Sequence, residues 1–280
     1  MAWNDTTSCH VEITGMEGGQ ALRVNDLTKD FVDSSNWVSA SRYVPVMDIP
    51  RQFYTRNGTA FLANIGSGAI VRNYSAAGWH IDVAEPDSGI LHAAIAGFRT
   101  VIPESSLIRG RGRAYLSSHT NTYDVILVDG IAPASLPTPM MTEEFFELVH
   151  SRLQNDGIFA IAIQSVGWHD ALVVSLGRTL KEIFKKVLVL PIAEPPNTFG
   201  SIVLLATDAP RDLAQEPERN TEFDPEWRYG AGYQRTHAWD NSFVPEVENG
   251  KLLTDGTSRL DTLFTKIADS ARVQNPHYLP

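Results

Sequence analysis

Two apolar runs near residue 190 limit the folds open to this chain more than any other feature. Val187 to Ile192 and Ser201 to Ala206 both have strand composition, yet only eight residues, 193–200, lie between them. A parallel pair needs a crossover of about a dozen residues or more, so these two pair antiparallel. Upstream, strand and helix patterns alternate. Ala60 to Ile65 is a short apolar run ending at Gly66-Ser67-Gly68, and Ala69 to Ala77 has helical spacing. His80 to Ala84, Tyr123 to Val128 and Gly157 to Ile163 read as strands, and Ser88 to Gly97 and Ala171 to Phe184 as helices. Thr142, followed by Glu143, Glu144 and Phe145-Phe146, fits an N-cap with acids in the first turn, where the helix dipole favours negative charge. Such alternation builds an α/β structure: a mostly parallel sheet, helices on both faces, and an antiparallel strand at its end.

The two flanks read differently. Residues up to about Pro50 read as short β elements, with Cys9 to Thr14 alternating, a turn at Gly18-Gly19 and an extended run from Ala21 to Val24. The division expected is a small β domain over 1–50, the sheet domain over 51–210 and an extension over 211–280. Beyond Thr207 the chain is polar and acidic through Asp224, then aromatic at Trp227, Tyr229, Tyr233 and Trp239. Both a solvated linker with a helical tail and a segment covering a pocket fit that pattern.

The 280 residues carry 23 basic and 33 acidic side chains, a formal charge of −10, which argues against a phosphate-backbone binder. No nucleic-acid partner is expected. The lone cysteine, Cys9, allows no intrachain disulfide, and no run approaches the ~18 apolar residues of a membrane span. The expectation is a soluble, cytoplasmic chain with no membrane partner. No histidine pair has metal-ligand spacing, so no metal is expected, and no Gly-x-Ser-x-Gly elbow precedes a helix.

Candidate ligand contacts lie where strands end. Gly66-Ser67-Gly68 would let the backbone approach a nucleoside, although Val71 stands where a full dinucleotide fingerprint wants a third glycine. The alternative is a tight strand-to-helix turn with no ligand. Glu85 follows the second strand, where an acid can accept from both ribose hydroxyls; Asp87 is placed to cap the next helix. Asp129 closes the most apolar strand and could orient or deprotonate a nucleophile, or simply shape an Asp-Gly turn. Arg99, Arg109, Arg111 and Arg113 form a local basic run, read either as a solvated surface or as an anion grip.

Together these segments resemble the spermidine synthase family, aminopropyltransferases on the Rossmann-like class I methyltransferase fold. The resemblance rests on the N-terminal hairpin piece, Phe61 to Gly68, Val83 to Asp87, Arg113-Ala114-Tyr115-Leu116 and Tyr123 to Pro133. It continues over Thr142 to Gln164 and ends at Leu252-Leu253-Thr254-Asp255. It implies S-adenosylmethionine or its decarboxylated form as co-substrate, a small-molecule acceptor, and a homodimer. It further implies a ligand set of Gly66, Ser67, Gly68, Glu85, Asp87, Arg111, Gly112 and Asp129, with Glu85 on the ribose and Asp129 as the catalytic acid.

The departures bear on the acceptor. The family's strand end carries a second acid where this chain has Ala132, and loss of that carboxylate disfavours a cationic diamine. Arg111 stands beside glycines where the family places an acid that meets the adenine amine, and a guanidinium only donates. Ala69 and Ile70 replace the acid and glycine of the family's turn, and Lys29 replaces a glutamine. Methyl transfer on the same scaffold, and a non-catalytic homologue used for binding or assembly, stay open.

Overall fold

A computed structural model describes residues 10–25, 27–131, 138–192, 196–210, 213 and 230–256. Cys9, Ala132, Pro133, Trp227 and Tyr229 lie outside the described residues. The chain opens with an antiparallel sheet of β1 (Val11–Met16), β2 (Gly19–Val24) and β3 (Leu27–Asp33), ordered β1-β2-β3. Two short helices follow, α1 (Tyr43–Val46) and α2 (Ile49–Gln52), where the sequence reads as extended. Their side chains explain the difference: all four residues of α1 are buried, a period that alternation with solvent cannot supply.

Seven strands form the main sheet in the order β6-β5-β4-β7-β8-β10-β9. They are β4 (Thr59–Ala63), β5 (His80–Ala84), β6 (Leu107–Ile108), β7 (Tyr123–Asp129), β8 (Leu153–Val166), β9 (Lys186–Pro191) and β10 (Phe199–Thr207). The strands from β6 to β8 pair parallel, while β10 is antiparallel to both β8 and β9. The short connection after β9 therefore does what its length demands. Every residue of β7 and β10 is buried, which matches strands covered on both faces.

The helices between strands are α3 (Ala69–Ala76), α4 (Ser88–His92), α5 (Gly112–Ser118), α6 (Glu143–Arg152) and α7 (Ala171–Ile183). The helix read as continuous from Ser88 to Gly97 passes into a π-helical turn, Ala93–Gly97, with Phe98 N–H bonded to Ala93 O at 2.9 Å. Thr142 caps α6 by accepting from Phe145 N at 3.4 Å, and Asp170 caps α7 by accepting from Leu172 N at 2.8 Å. On one sheet face the core joins Leu22, Tyr43, Tyr74 and Phe98; on the other it joins Phe61, Phe145, Phe159 and Leu176. Because Leu22, Val24 and Val32 of β2 and β3 belong to the first core, the small sheet shares that core with the large one.

Beyond 230, α8 (Ala231–Asp240) buries Gln234, Ala238 and Trp239, with Trp239 tilted against Phe53. A final extended segment crosses α7 and α6. Lys251 N donates to Ser175 Oγ at 3.1 Å, Leu253 N to Thr179 Oγ1 at 3.0 Å, and Asp255 accepts from Arg113 and Thr142 at 2.6–2.7 Å. Among the described residues no helix is long and apolar enough to cross a membrane.

Candidate active site at the carboxyl edge of the sheet

The sheet order places β4 at its centre, with β5 on one side and β7 on the other. The connections after β4 and β5 run outward to β5 and β6, and the one after β6 crosses back to β7, so the tips of β4 and β7 mark the switch point at which open α/β sheets bind ligands. Registers are level: Ala63 pairs with Ala84 and with Val128. Three polar groups thereby meet.

At the tip of β4, Asn64 takes a left-handed conformation, φ 68°, and its Nδ2 donates to Asp129 O at 2.9 Å. The next amide, Ile65 N, donates to Glu85 Oε2 at 3.0 Å. The tips of β4, β5 and β7 are thus tied through two bonds that span 65 and 20 residues of sequence. Gly66 and Gly68 have φ of 54° and 79°, where a side chain is strained, and a Cβ on Gly68 would fall 2.0 Å from Thr100 Oγ1. Ser67 between them is buried; its carbonyl accepts from Arg72 Nη1 at 2.8 Å and Thr100 Oγ1 at 3.2 Å. Its hydroxyl donates to Asp30, on β3 of the small sheet.

Glu85 is 3% exposed and its Oε1 accepts from Asp87 N at 2.9 Å. Burial pushes its pKa up to about 7, against the opposing pull of the Asp87 and Ile65 amides. Each oxygen keeps a further lone pair after accepting one backbone N–H, which is the acceptor set a vicinal diol needs. Asp87 is the helix cap: its Oδ1 accepts from Gly89 N and Ile90 N at 2.8 and 3.0 Å.

Asp129 is 2% exposed. Its Oδ1 accepts from Ile131 N at 3.0 Å, an Asx turn, and its Oδ2 accepts from the Tyr43 hydroxyl at 2.9 Å. The turn reading is the one these bonds show. Gly130 is required because a Cβ there would lie 2.4 Å from Ala162 O. Tyr43, in α1, is held far above the usual phenol range by burial and then by the charge of Asp129, so it stays a donor. Sequence patterning misses Tyr43, because its region reads as extended, and misses Asn64, whose only signal is a polar residue closing an apolar run. Lys29 Nζ donates to Ile131 O at 3.1 Å, beside the same turn.

The remaining expectations divide. Gly112 opens α5, and a Cβ there would meet Ala63 Cβ at 2.7 Å, so this glycine serves close helix-to-strand packing. Arg111 is the exposed N-cap residue of α5. The basic run is not one patch: Arg99 lies over the Trp37 ring at 4.7 Å, Arg109 pairs with Glu104, and Arg113 pairs with Asp255 at 2.6 Å. No group of three His, Cys, Asp or Glu among the described residues is placed to hold a metal ion.

A mostly parallel sheet closed by an antiparallel strand, with an acid following β5 and another ending β7, defines a class I methyltransferase-like fold. Comparison with known proteins narrows this. Residues 90–212 match the spermine/spermidine synthase domain. The chain is 30% identical over 103 residues to polyamine aminopropyltransferase 1 of Aquifex aeolicus, covering 37% of this chain and 36% of that one. It is also 30% identical over 128 residues to a polyamine aminopropyltransferase of Hydrogenobaculum, covering 43% and 44%. These alignments span less than half the length of either relative. A probable spermidine synthase from Corynebacterium glutamicum shares the fold, with a TM-score of 0.67, 18% identity and coverage of 91% of this chain and 96% of that one. Over residues 90–212 the chain is similar to the spermine/spermidine synthase domain, and its fold is that of the spermidine synthase neighbour.

Proposed function

We propose that the protein is a transferase that holds S-adenosylmethionine, or its decarboxylated form, across the tips of β4, β5 and β7. It passes a group from that sulfonium to a small-molecule acceptor other than a simple diamine. The observation that carries this reading is the meeting of Glu85, the glycine turn and the Tyr43–Asp129 pair through the Ile65 and Asn64 bonds.

The sulfonium supplies a good leaving group, so positioning accounts for much of the rate. Glu85 holds the ribose through the lone pairs left on its two oxygens. Gly66 and Gly68 let the backbone pass close to the ligand's tail. Asp129 takes the proton that the incoming nucleophile loses, on a carboxylate that Tyr43 and the Ile131 amide hold in place. With Ala132 in the sequence, a second carboxylate from that loop is missing, and a dicationic acceptor loses one of its anchors.

Product analysis tests the reading. Purified protein with decarboxylated S-adenosylmethionine and putrescine is expected to release little methylthioadenosine, and rapid release would overturn the non-diamine acceptor. With other acceptors, methylthioadenosine reports aminopropyl transfer and S-adenosylhomocysteine reports methyl transfer. Absence of binding by either sulfonium and by methylthioadenosine would overturn the transferase and leave a non-catalytic homologue.

A further inference from the structure

Tyr43, which holds Asp129 from outside the sheet, sits on a helix that cannot hold itself. α1 is one turn of four residues with Pro45 inside it, too short to keep its conformation in water. Its placement depends on what grips the residues that follow it. Met47 O accepts from the Tyr74 hydroxyl at 3.1 Å. Asp48, 3% exposed, accepts from Arg51 Nε, from Arg51 Nη2 at 2.6 Å and from Gln52 Nε2 at 3.5 Å. Arg51 and Gln52 both belong to α2, so they fix this carboxylate only within its own segment. A second guanidinium reaches it from elsewhere. Arg235 of α8 places Nη1 3.8 Å from Asp48 Oδ2, and one turn further along α8 the Trp239 ring meets Phe53 at 5.9 Å. Residues four apart share a helix face, so α8 meets the α1–α2 segment with a charged and an aromatic contact side by side.

Charge sets Arg235 apart from an ordinary stabilising pair. Arg51 alone already neutralises Asp48 through two bonds. Arg235 has 16% of its side chain exposed, and burial holds its pKa below the usual guanidinium range, with Asp48 pulling it up and Arg51 pushing it down. A second desolvated cation beside a completed pair is costly. Among the described residues, however, Arg235 is the one charged group outside α2 that pairs with Asp48, so it adds a fixed distance between α8 and the end of α1. We propose that Arg235 is a positioning residue that, through Asp48, sets the placement of α1 and so keeps the Tyr43 hydroxyl on Asp129. Its consequence for catalysis rests on the reading of Asp129 above. The helix beyond residue 230 thereby acts from behind Tyr43.

The experiment reads Tyr43 itself. In protein isotope-labelled at the tyrosine Cζ, the Tyr43 resonance is identified by its loss in Tyr43→Phe and followed by NMR from about pH 8 to about pH 11, across the ordinary phenol range. The wild-type resonance is expected to stay still, since burial and the charge of Asp129 hold this phenol far above that range. Arg235→Gln keeps most of the stem while removing the charge, and is expected to bring Tyr43 into titration near the ordinary phenol value of about 10. Arg235→Lys keeps a cation and is expected to leave the resonance still. A Tyr43 that stays still in Arg235→Gln, whatever the fall in its unfolding midpoint, would overturn the inference, because Arg235 would then only stabilise the fold. Should Arg235→Gln fail to fold, Asp48→Asn breaks the same pair from the other side and decides by the same readout. No ligand enters this measurement. A wild-type protein that binds no methylthioadenosine would overturn the nucleoside reading, while Tyr43 would still decide this one.

Discussion

At the amino edge of the large sheet, Asp124 accepts from the Arg56 guanidinium at 2.6 and 3.3 Å and from Thr59 N at 2.8 Å, while Asp82 accepts from Tyr123 OH at 2.8 Å and contacts His80 at 3.1 Å. At the carboxyl edge, Glu85 and Asp129 are equally buried, but the partners described above are backbone amides and one phenol. Burial alone would raise Asp124, yet Arg56 and Thr59 hold it below the usual carboxylate range; Glu85, with no such cation among the described residues, rises to about 7. Acids at one edge are matched to what is already there. At the other, Glu85 keeps acceptor capacity and stays close to titration at neutral pH.

The sharpest way to break this comparison is to neutralise one acid at each edge. Asp129→Asn should lower turnover by on the order of 10²–10⁴-fold while leaving thermal unfolding nearly unchanged, as read by thioether release beside a melting curve. Asp124→Ala should do the reverse. Loss of the acceptor for the Thr59 amide and hydroxyl should cost about 2 kcal/mol in a urea titration, with nucleoside affinity intact. If the two effects exchange places, the edges have been assigned the wrong way round.

The pH response separates the edges by sign. Asp124, held low in the folded state, stabilises the protein at neutral pH, and that contribution is lost as pH falls through its folded-state value. Glu85, held high, imposes no ionisation cost below the ordinary glutamate range, and its cost grows as pH rises through about 7. The same ionisation favours a diol ligand. Nucleoside affinity should therefore rise about tenfold from pH 6 to pH 8, following the ionised fraction, and Glu85→Gln should flatten that rise. A flat wild-type profile would mean that Glu85 does not meet the ligand. Smallest of all is the surface pair of Arg109 and Glu104: Arg109→Ala should leave both the melting temperature and nucleoside affinity unchanged within error, because exposed pairs contribute little.

The elements that the sequence makes legible are those whose burial is uniform or whose length is constrained. The wholly buried β7, the short β9–β10 connection and the Thr142 cap all follow from local pattern. Glu85 and Asp129 are legible because strand tips in such a sheet are set by topology. Tyr43, Asn64 and Asp30 are not, since each owes its place to a contact 86, 65 or 37 residues away. Gly112, which the resemblance places among ligand contacts, packs against Ala63 in the fold, and a glycine before a helix permits either role. The basic run dissolves for a related reason: its arginines are adjacent in the chain but have partners in different parts of the fold.

Most direct is a calorimetric titration of methylthioadenosine into the wild-type protein and the Glu85→Ala variant at pH 8. Saturable one-to-one binding by the wild-type protein, weakened at least about tenfold in the variant, is the result expected if the three strand tips form one nucleoside site. No heat from the wild-type protein, or the same affinity in both, would contradict it.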